Sequence, residues 1–220
     1  MQNLTLIFDY LKGFLTPERL SKIEFFASQS SDFILPVLED VYQYRNAAAI
    51  VRSVEGCGFH KVVALEERNT FDPNLTVTKG AETWVEVEKM PDTIESLLEI
   101  KKRGYQLTAV SLEKESIALP DFLPTGPTAL LFGTEKEGVS KEALDLADQT
   151  LAIPMYGFTK SFNVAVAASI CMYDLKQKLI NSDIHYLLSE QKQLELKIRW
   201  AVNSIPSGEK IYKQFLKNLS

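Results

Sequence analysis

From residue 34 onward the sequence alternates short apolar runs with helix-forming segments, and this alternation narrows the possible folds more than any other feature. The strand candidates are "ILPVLEDV", "KVVAL", "YQLTAVSL", "TALLF" and "TLAIPM". Among them stand "NAAAIVRSVEG", "TIESLLEIKKRG" closed by Gly104, and "SKEALDLAD"; the long helix "FNVAVAASICMYDLKQKL" comes after the last strand. Such an order predicts an α/β protein whose mainly parallel sheet is covered on both faces. The stretch over 67–92 shows no periodicity, so it either carries function or merely connects.

Both flanks read differently. Leu4, Ile7, Leu11, Phe14 and Leu15 recur at helical spacing. A second helix starts at "LTPERL", with Thr16 as N-cap, Pro17 in the first turn and Glu18 at the positive end. Beyond residue 183 the alternation stops, and Leu187, Leu194, Ile198, Ala201 and Ile205 share one stripe with lysines opposite. The expected organisation is a helical arm over 1–30, an α/β core over 31–182 and a second helical arm over 183–220.

Two cysteines and two histidines supply neither a disulfide framework nor a zinc site. No apolar run is long enough to span a bilayer, and the first residues lack the basic stretch and cleavage site of a signal peptide. The expectation is a cytoplasmic, metal-free protein with reduced thiols. Its net charge of −5 is unevenly spread. Residues 51–175 hold twelve basic and nineteen acidic residues, whereas 176–220 hold eight and four. A basic tail on an acidic body suits a nucleic-acid arm, or simply a solvated helix surface.

Three stretches invite a chemical reading. "LLFGTEKEGVSKEAL" has the strand–loop–helix outline of a phosphate-binding P-loop, but Val139 stands where the phosphate lysine belongs. Glu135 and Glu137 would repel a triphosphate, since like charges about 4 Å apart oppose each other by roughly 1 kcal/mol even in water. Nucleotide hydrolysis is excluded; what remains is a plain turn, or a site for a neutral or cationic ligand that takes backbone contacts. "YRNAAAIVRSVEG" opens a helix at Asn46 and carries Arg52, which either reaches a cleft at the carboxyl edge of the sheet or lies along the surface. "IPMYGFTKSFNVAVAASI" offers Ser161 as an N-cap, followed by Ala165, Ala167, Ala168 and Ser169, small enough for close packing against another element or another chain. "EGCGFHK" resembles a dinucleotide fingerprint, but its glycines follow a helix and precede a strand, so Gly56 is read as a helix stop.

Taken in order, "NAAAIVR", "LLFGTEKEGVS" and "IPMYGFTKSFNVAVAA" resemble the three motifs of the SpoU branch of the SPOUT RNA methyltransferases. The flanking "LTPERLSKIEFFASQ", "TKGAETWVEVE" and "RWAVNSI" are similar to the TrmH subgroup, which methylates the 2′-hydroxyl of guanosine 18 in the D-loop of tRNA. Phe162 departs from the leucine usual in the family. The resemblance implies a sheet whose C-terminal part forms a deep trefoil knot, S-adenosyl-L-methionine as cofactor, and a homodimer with its active site near the interface. It further implies cofactor contacts at Val110, Leu131, Gly133, Gly138, Ile153, Met155, Ser161 and Phe162. Catalytic roles fall to Arg52, Asn46, Glu135, Ser161 and Asn163, and RNA contacts to Lys192, Lys197, Lys210 and Lys213. Ribosomal RNA, another tRNA site, and a non-catalytic RNA-binding role stay open as alternatives.

Overall fold

In a computed structural model that describes residues 2–71, 78–112, 115–134 and 136–219, the described strands form one seven-stranded sheet. They are β1 (Ile34–Glu39), β2 (Lys61–Leu65), β3 (Glu86–Met90), β4 (Gln106–Val110), β5 (Ile117–Ala118), β6 (Thr128–Phe132) and β7 (Gln149–Ala152). Their order is β3–β2–β1–β6–β4–β7–β5, and every neighbouring pair runs parallel, as the alternation predicts. β6 lies between β1 and β4, with Leu131 opposite both Val37 and Ala109.

The helices are α1 (Gln2–Lys12), α2 (Pro17–Gln29), α3 (Tyr44–Gly56), α4 (Thr93–Lys102), α5 (Lys141–Leu146), α6 (Val164–Ile180), α7 (Glu190–Ser204) and α8 (Gly208–Leu219). None of the described helices is long and apolar enough to cross a membrane. The chain divides into two compact units: a core over Asp32–Tyr186, and a terminal unit built from Met1–Ser31 together with Leu187–Ser220.

Within the core, successive strand residues point to opposite faces and meet different helices. Leu130 and Phe132 pack with Ile50 and Val54 of α3 and with Cys171, Met172 and Leu175 of α6. Ala129 and Leu131 pack instead with Leu97 and Ile100 of α4 and Ala143 of α5. Burying each such Leu, Val or Ile contributes about 1.5–3 kcal/mol, so continuous apolar strands favour this double covering. Small residues let α3 and α6 approach closely enough for the Ser53 and Ser169 hydroxyls to bond at 2.7 Å.

In the terminal unit, α1 buries Ile7, Phe8 and Leu11, α2 buries Ile23 and Ala27, and α7 buries Leu196, Ile198 and Trp200. Thr16 caps α2 as expected, its Oγ1 accepting from the Arg19 N–H at 3.2 Å. The cap of α6 is not the expected Ser161. The helix starts later, and Asn163 Oδ1 accepts from the N–H groups of Ala165 (2.9 Å) and Val166 (3.4 Å). Asn163 has the extended backbone a cap requires and directly precedes the first helical residue, while Ser161 stays in the exposed loop before it.

Candidate active site

Ligands in open parallel sheets bind beyond the carboxyl ends of the strands, where the strand order reverses. A cavity of about 240 Å³ occupies that position here. Its wall comes from the ends of three adjacent strands: Val110 at the end of β4 with Ser111 and Leu112 beyond it, Phe132 at the end of β6 with Gly133 and Thr134 beyond it, and Ile153 and Met155 after β7. Ser161, Phe162, Val164 and Ala167 close it from the start of α6, and Lys136, Glu137 and Gly138 form its rim.

The loop after β6 is closed upon itself. The Thr134 N–H donates to the Gly138 carbonyl and the Gly138 N–H to the Thr134 carbonyl, both at 3.0 Å. The Glu137 N–H donates to Thr134 Oγ1 at 3.0 Å. A P-loop binds phosphate by turning such N–H groups toward the ligand; here they are engaged internally, a second reason why no triphosphate belongs in this loop. Closure also explains the glycines. A Cβ on Gly133 would lie 1.9 Å from the Gly138 carbonyl oxygen, and Gly138 has a left-handed φ of 74°.

Two buried carboxylates at the end of β1 hold the neighbouring backbone. Glu39 Oε2 accepts from the Ser140 N–H at 2.9 Å, tying the loop to the cap of α5. Asp40, with φ of 51°, accepts from the Arg68 and Asn69 N–H groups at 2.8 and 3.0 Å and from Arg68 Nε at 3.0 Å. Burial works to raise the Asp40 pKa, but the bonds from Arg68 and Asn69 outweigh it and hold the carboxyl below its usual range. Arg68 Nη1 extends on to Glu137 Oε2 at 3.6 Å, reaching the cavity rim.

On the α3 side, Asn46 is buried, and its Oδ1 accepts from Asn163 Nδ2 at 3.1 Å. Two of the sequence motifs therefore touch directly. Arg52, further along α3, is exposed and makes no ion pair or hydrogen bond among the described residues.

The family model of the SpoU rRNA methylases matches residues 34–173. The chain belongs to the SpoU rRNA methylase family. The SpoU chain is 35% identical over 208 residues to the tRNA (guanosine(18)-2′-O)-methyltransferase of Borreliella burgdorferi, covering 94% of this chain and 90% of that protein. The solved structure of the Aquifex aeolicus TrmH/SpoU tRNA modifying enzyme is similar with a TM-score of 0.76 and 29% identity, over 86% of this chain and 98% of that one. The fold is shared with the SpoU methyltransferase AviRb of Streptomyces viridochromogenes, solved in complex with AdoMet, at a TM-score of 0.60 and 24% identity, over 69% of this chain and 61% of that one.

Of the SpoU residues expected at a cofactor site, Val110, Gly133, Gly138, Ile153, Met155, Ser161 and Phe162 all line the one cavity. Leu131 does not. Its side chain is fully buried toward α4 and α5, because it precedes Phe132 on the strand and so points to the opposite face. Glu135 lies outside the described residues. Lys192, Lys210 and Lys213 are exposed on α7 and α8, and Lys197 is half-buried on α7. Sequence reasoning missed Arg68, Glu137 as a rim residue, and the roles of Glu39 and Asp40. For the last two a signal was present: two acidic residues directly closing an apolar strand.

Proposed function

We propose that this protein transfers a methyl group from S-adenosyl-L-methionine to the 2′-hydroxyl of a guanosine in tRNA, at position 18 of the D-loop. The observation that carries this reading is the convergence of the second and third SpoU motifs on one cavity, joined to the first through Asn46 and Asn163. Relatives named for that reaction, similar along nearly the whole chain, support the choice of substrate.

The residues present suit the donor. Val110, Leu112, Ile153 and Phe162 give apolar walls for an adenosine, and the cavity's charged side chains, Lys136 and Glu137, have opposite signs, as a zwitterionic amino-acid tail requires. When bound, the donor supplies a methyl group already activated by its positive sulfonium. The chain therefore has to align the ribose oxygen and manage its proton. Arg52 carries a rigid, planar fork of donors, and with it orients the hydroxyl and an adjacent phosphate. Asn46 and Asn163 fix the helix that bears it, with Ser161 and Glu135 completing the polar set.

The homodimer and the knot belong to the same reading. Val166, Tyr173 and Ile180, seven residues apart on α6, form an exposed apolar stripe suited to a second copy. A deep trefoil knot spans β6 to α6, in keeping with β7 returning between β4 and β5 after β6 has entered beside β1. Lys192, Lys197, Lys210 and Lys213 hold tRNA phosphates. Both cysteines are unpaired, which accords with a reducing cytoplasm.

The test is methyl transfer from labelled donor to unmodified tRNA transcripts, followed by mapping of the modified nucleotide. Label at the D-loop guanosine is expected. Label confined to ribosomal RNA, or to another tRNA position, would replace the substrate; no transfer to any RNA would remove the activity.

A further inference from the structure

Asp40 fixes Arg68 by both its backbone and its side chain. The Asp40 carboxylate, only 2% exposed, accepts from the Arg68 N–H and from Arg68 Nε, and it takes the Asn69 N–H as well. Glu66 braces the same loop, its Oε1 accepting from the Phe71 N–H at 2.7 Å. Asp40 keeps a left-handed backbone while doing so, and outliers of that kind persist where the surroundings over-determine them, often beside functional sites. A bond that served only to join β1 to this loop could end at Nε. The guanidinium instead reaches on, with Nη1 standing 3.6 Å from Glu137 Oε2.

Glu137 is tethered by its main chain, whose N–H donates to Thr134 Oγ1 inside the closed loop. Among the described residues it is the one carboxylate that lines the cavity, and its Oε1 has no partner there. An exposed pair such as Arg68–Glu137 adds little to stability. It does keep a flexible side chain in place, sparing part of the rotamer entropy that a ligand would otherwise have to remove. A carboxylate with an open oxygen accepts readily from an ammonium group. The methyl donor read into this cavity has one on its methionine tail, and the apolar walls suit its adenosine, which leaves the charged rim to the tail. The guanidinium repels an ammonium group as well, but from behind the carboxylate and at an exposed rim, where water weakens the repulsion.

We propose that Glu137 holds the α-ammonium group of the cofactor's methionine tail, and that Arg68, anchored by Asp40, is the positioning residue that sets the Glu137 carboxylate for it. This inference rests on the cofactor reading above. It adds a chain of charge from the buried end of β1 to the rim of the cavity.

Full-length protein is titrated calorimetrically with three thioethers: S-adenosylhomocysteine, its desamino analogue, and 5′-methylthioadenosine, which lacks the whole tail. Glu137→Gln should weaken S-adenosylhomocysteine about tenfold, the size of one hydrogen bond between charged groups, and leave the other two ligands as in the wild type. Arg68→Gln should weaken the same ligand about two- to fivefold, the measure of an exposed ion pair, and again spare the other two. In the Glu137→Gln background Arg68→Gln should have no further effect, since a residue that acts through another loses its influence with it. Wild-type affinity for S-adenosylhomocysteine in Glu137→Gln overturns the proposal. Equal weakening of all three ligands by Arg68→Gln would mean that it only props up its loop, and tighter binding that it competes for the carboxylate; either result, or no change, overturns the positioning role. Wild-type protein that shows the expected pattern yet methylates no RNA would sink the substrate reading alone; wild-type protein that binds none of the three ligands sinks both.

Discussion

Asn163 Nδ2 donates to Asn46 Oδ1 at 3.1 Å, joining residues 117 positions apart. The same Asn163 side chain caps α6 through its oxygen, so one amide both starts a helix and pins it to α3. Asn46 is buried and spends its own amide on Gln43 Oε1 at 3.3 Å, which leaves α3 fixed at its first turn. Arg52 stands six positions further along the same helix.

Substitutions at Asn163 separate the cap from the cross-link. Asn163→Ala loses both and should be less stable to urea by about 1 kcal/mol. Asn163→Ser keeps a capping oxygen but is too short to reach Asn46, so its stability should stay near that of the wild type. Both variants should lose methyl transfer to a similar degree, about 100-fold, the size expected when a reacting group is misplaced by an ångström or so. Near-full turnover in Asn163→Ser would detach the cross-link from the chemistry.

Arg52→Lys keeps the charge and loses the planar fork. Turnover is expected to fall at least about tenfold. Calorimetric binding of S-adenosylmethionine should be unchanged, because Arg52 is not among the cavity-lining residues. Wild-type turnover would take Arg52 out of the reaction.

The two loop glycines should respond unequally. Gly133→Ala drives a Cβ into the Gly138 backbone; it should cost about 1–3 kcal/mol and abolish cofactor binding. Gly138→Ala meets open space and is strained only by its φ of 74°, so a cost of about 1 kcal/mol with cofactor binding retained is expected. Thermal melts with and without S-adenosylmethionine read both effects.

Glu88 makes a pH prediction. The bidentate bond from Arg103 at 2.9 Å, opposed by burial and aided by Lys61, lowers its pKa from 4.5 to about 2. A carboxyl whose pKa is depressed on folding adds stability above its unfolded pKa and loses it as the pH drops through the folded one. Wild type should therefore exceed Glu88→Gln in stability at pH 7, and the gap should close between pH 4.5 and about 2. A gap independent of pH in urea titrations would assign the effect to packing.

Each of Lys192, Lys197, Lys210 and Lys213 that holds a phosphate should, when changed to Gln, reduce the slope of log affinity against log salt by up to about 0.9. A variant with wild-type slope in filter binding carries no phosphate.

Of the five strands read from the sequence, β1, β2, β4 and β6 are buried on both faces, and that burial is what wrote their apolar runs into it; β7 buries only Leu151. β3 escaped because it is an edge strand, "EVEKM", whose charged side chains keep the edge from pairing with other chains and erase the apolar signal. β5 is two residues long, below any periodicity. The cavity was legible through its glycines and polar residues, which must stand at strand ends. Arg68 was not, since its partners Asp40 and Glu137 come from other segments and only folding brings them together. Leu131 shows the limit of carrying a motif position by position: adjacent strand residues face opposite ways, and only Phe132 turns toward the cavity.

Because Met1–Ser31 and Leu187–Ser220 build a single unit, α1 and α2 have no finished core to join until residue 187 and beyond have left the ribosome. At ordinary translation speeds that wait is about 10–30 s, during which Leu11, Ile23 and Ala27 stay without their final partners. The first helices made are thus among the last to settle, and nascent chains stalled before α7 should present them to chaperones and proteases.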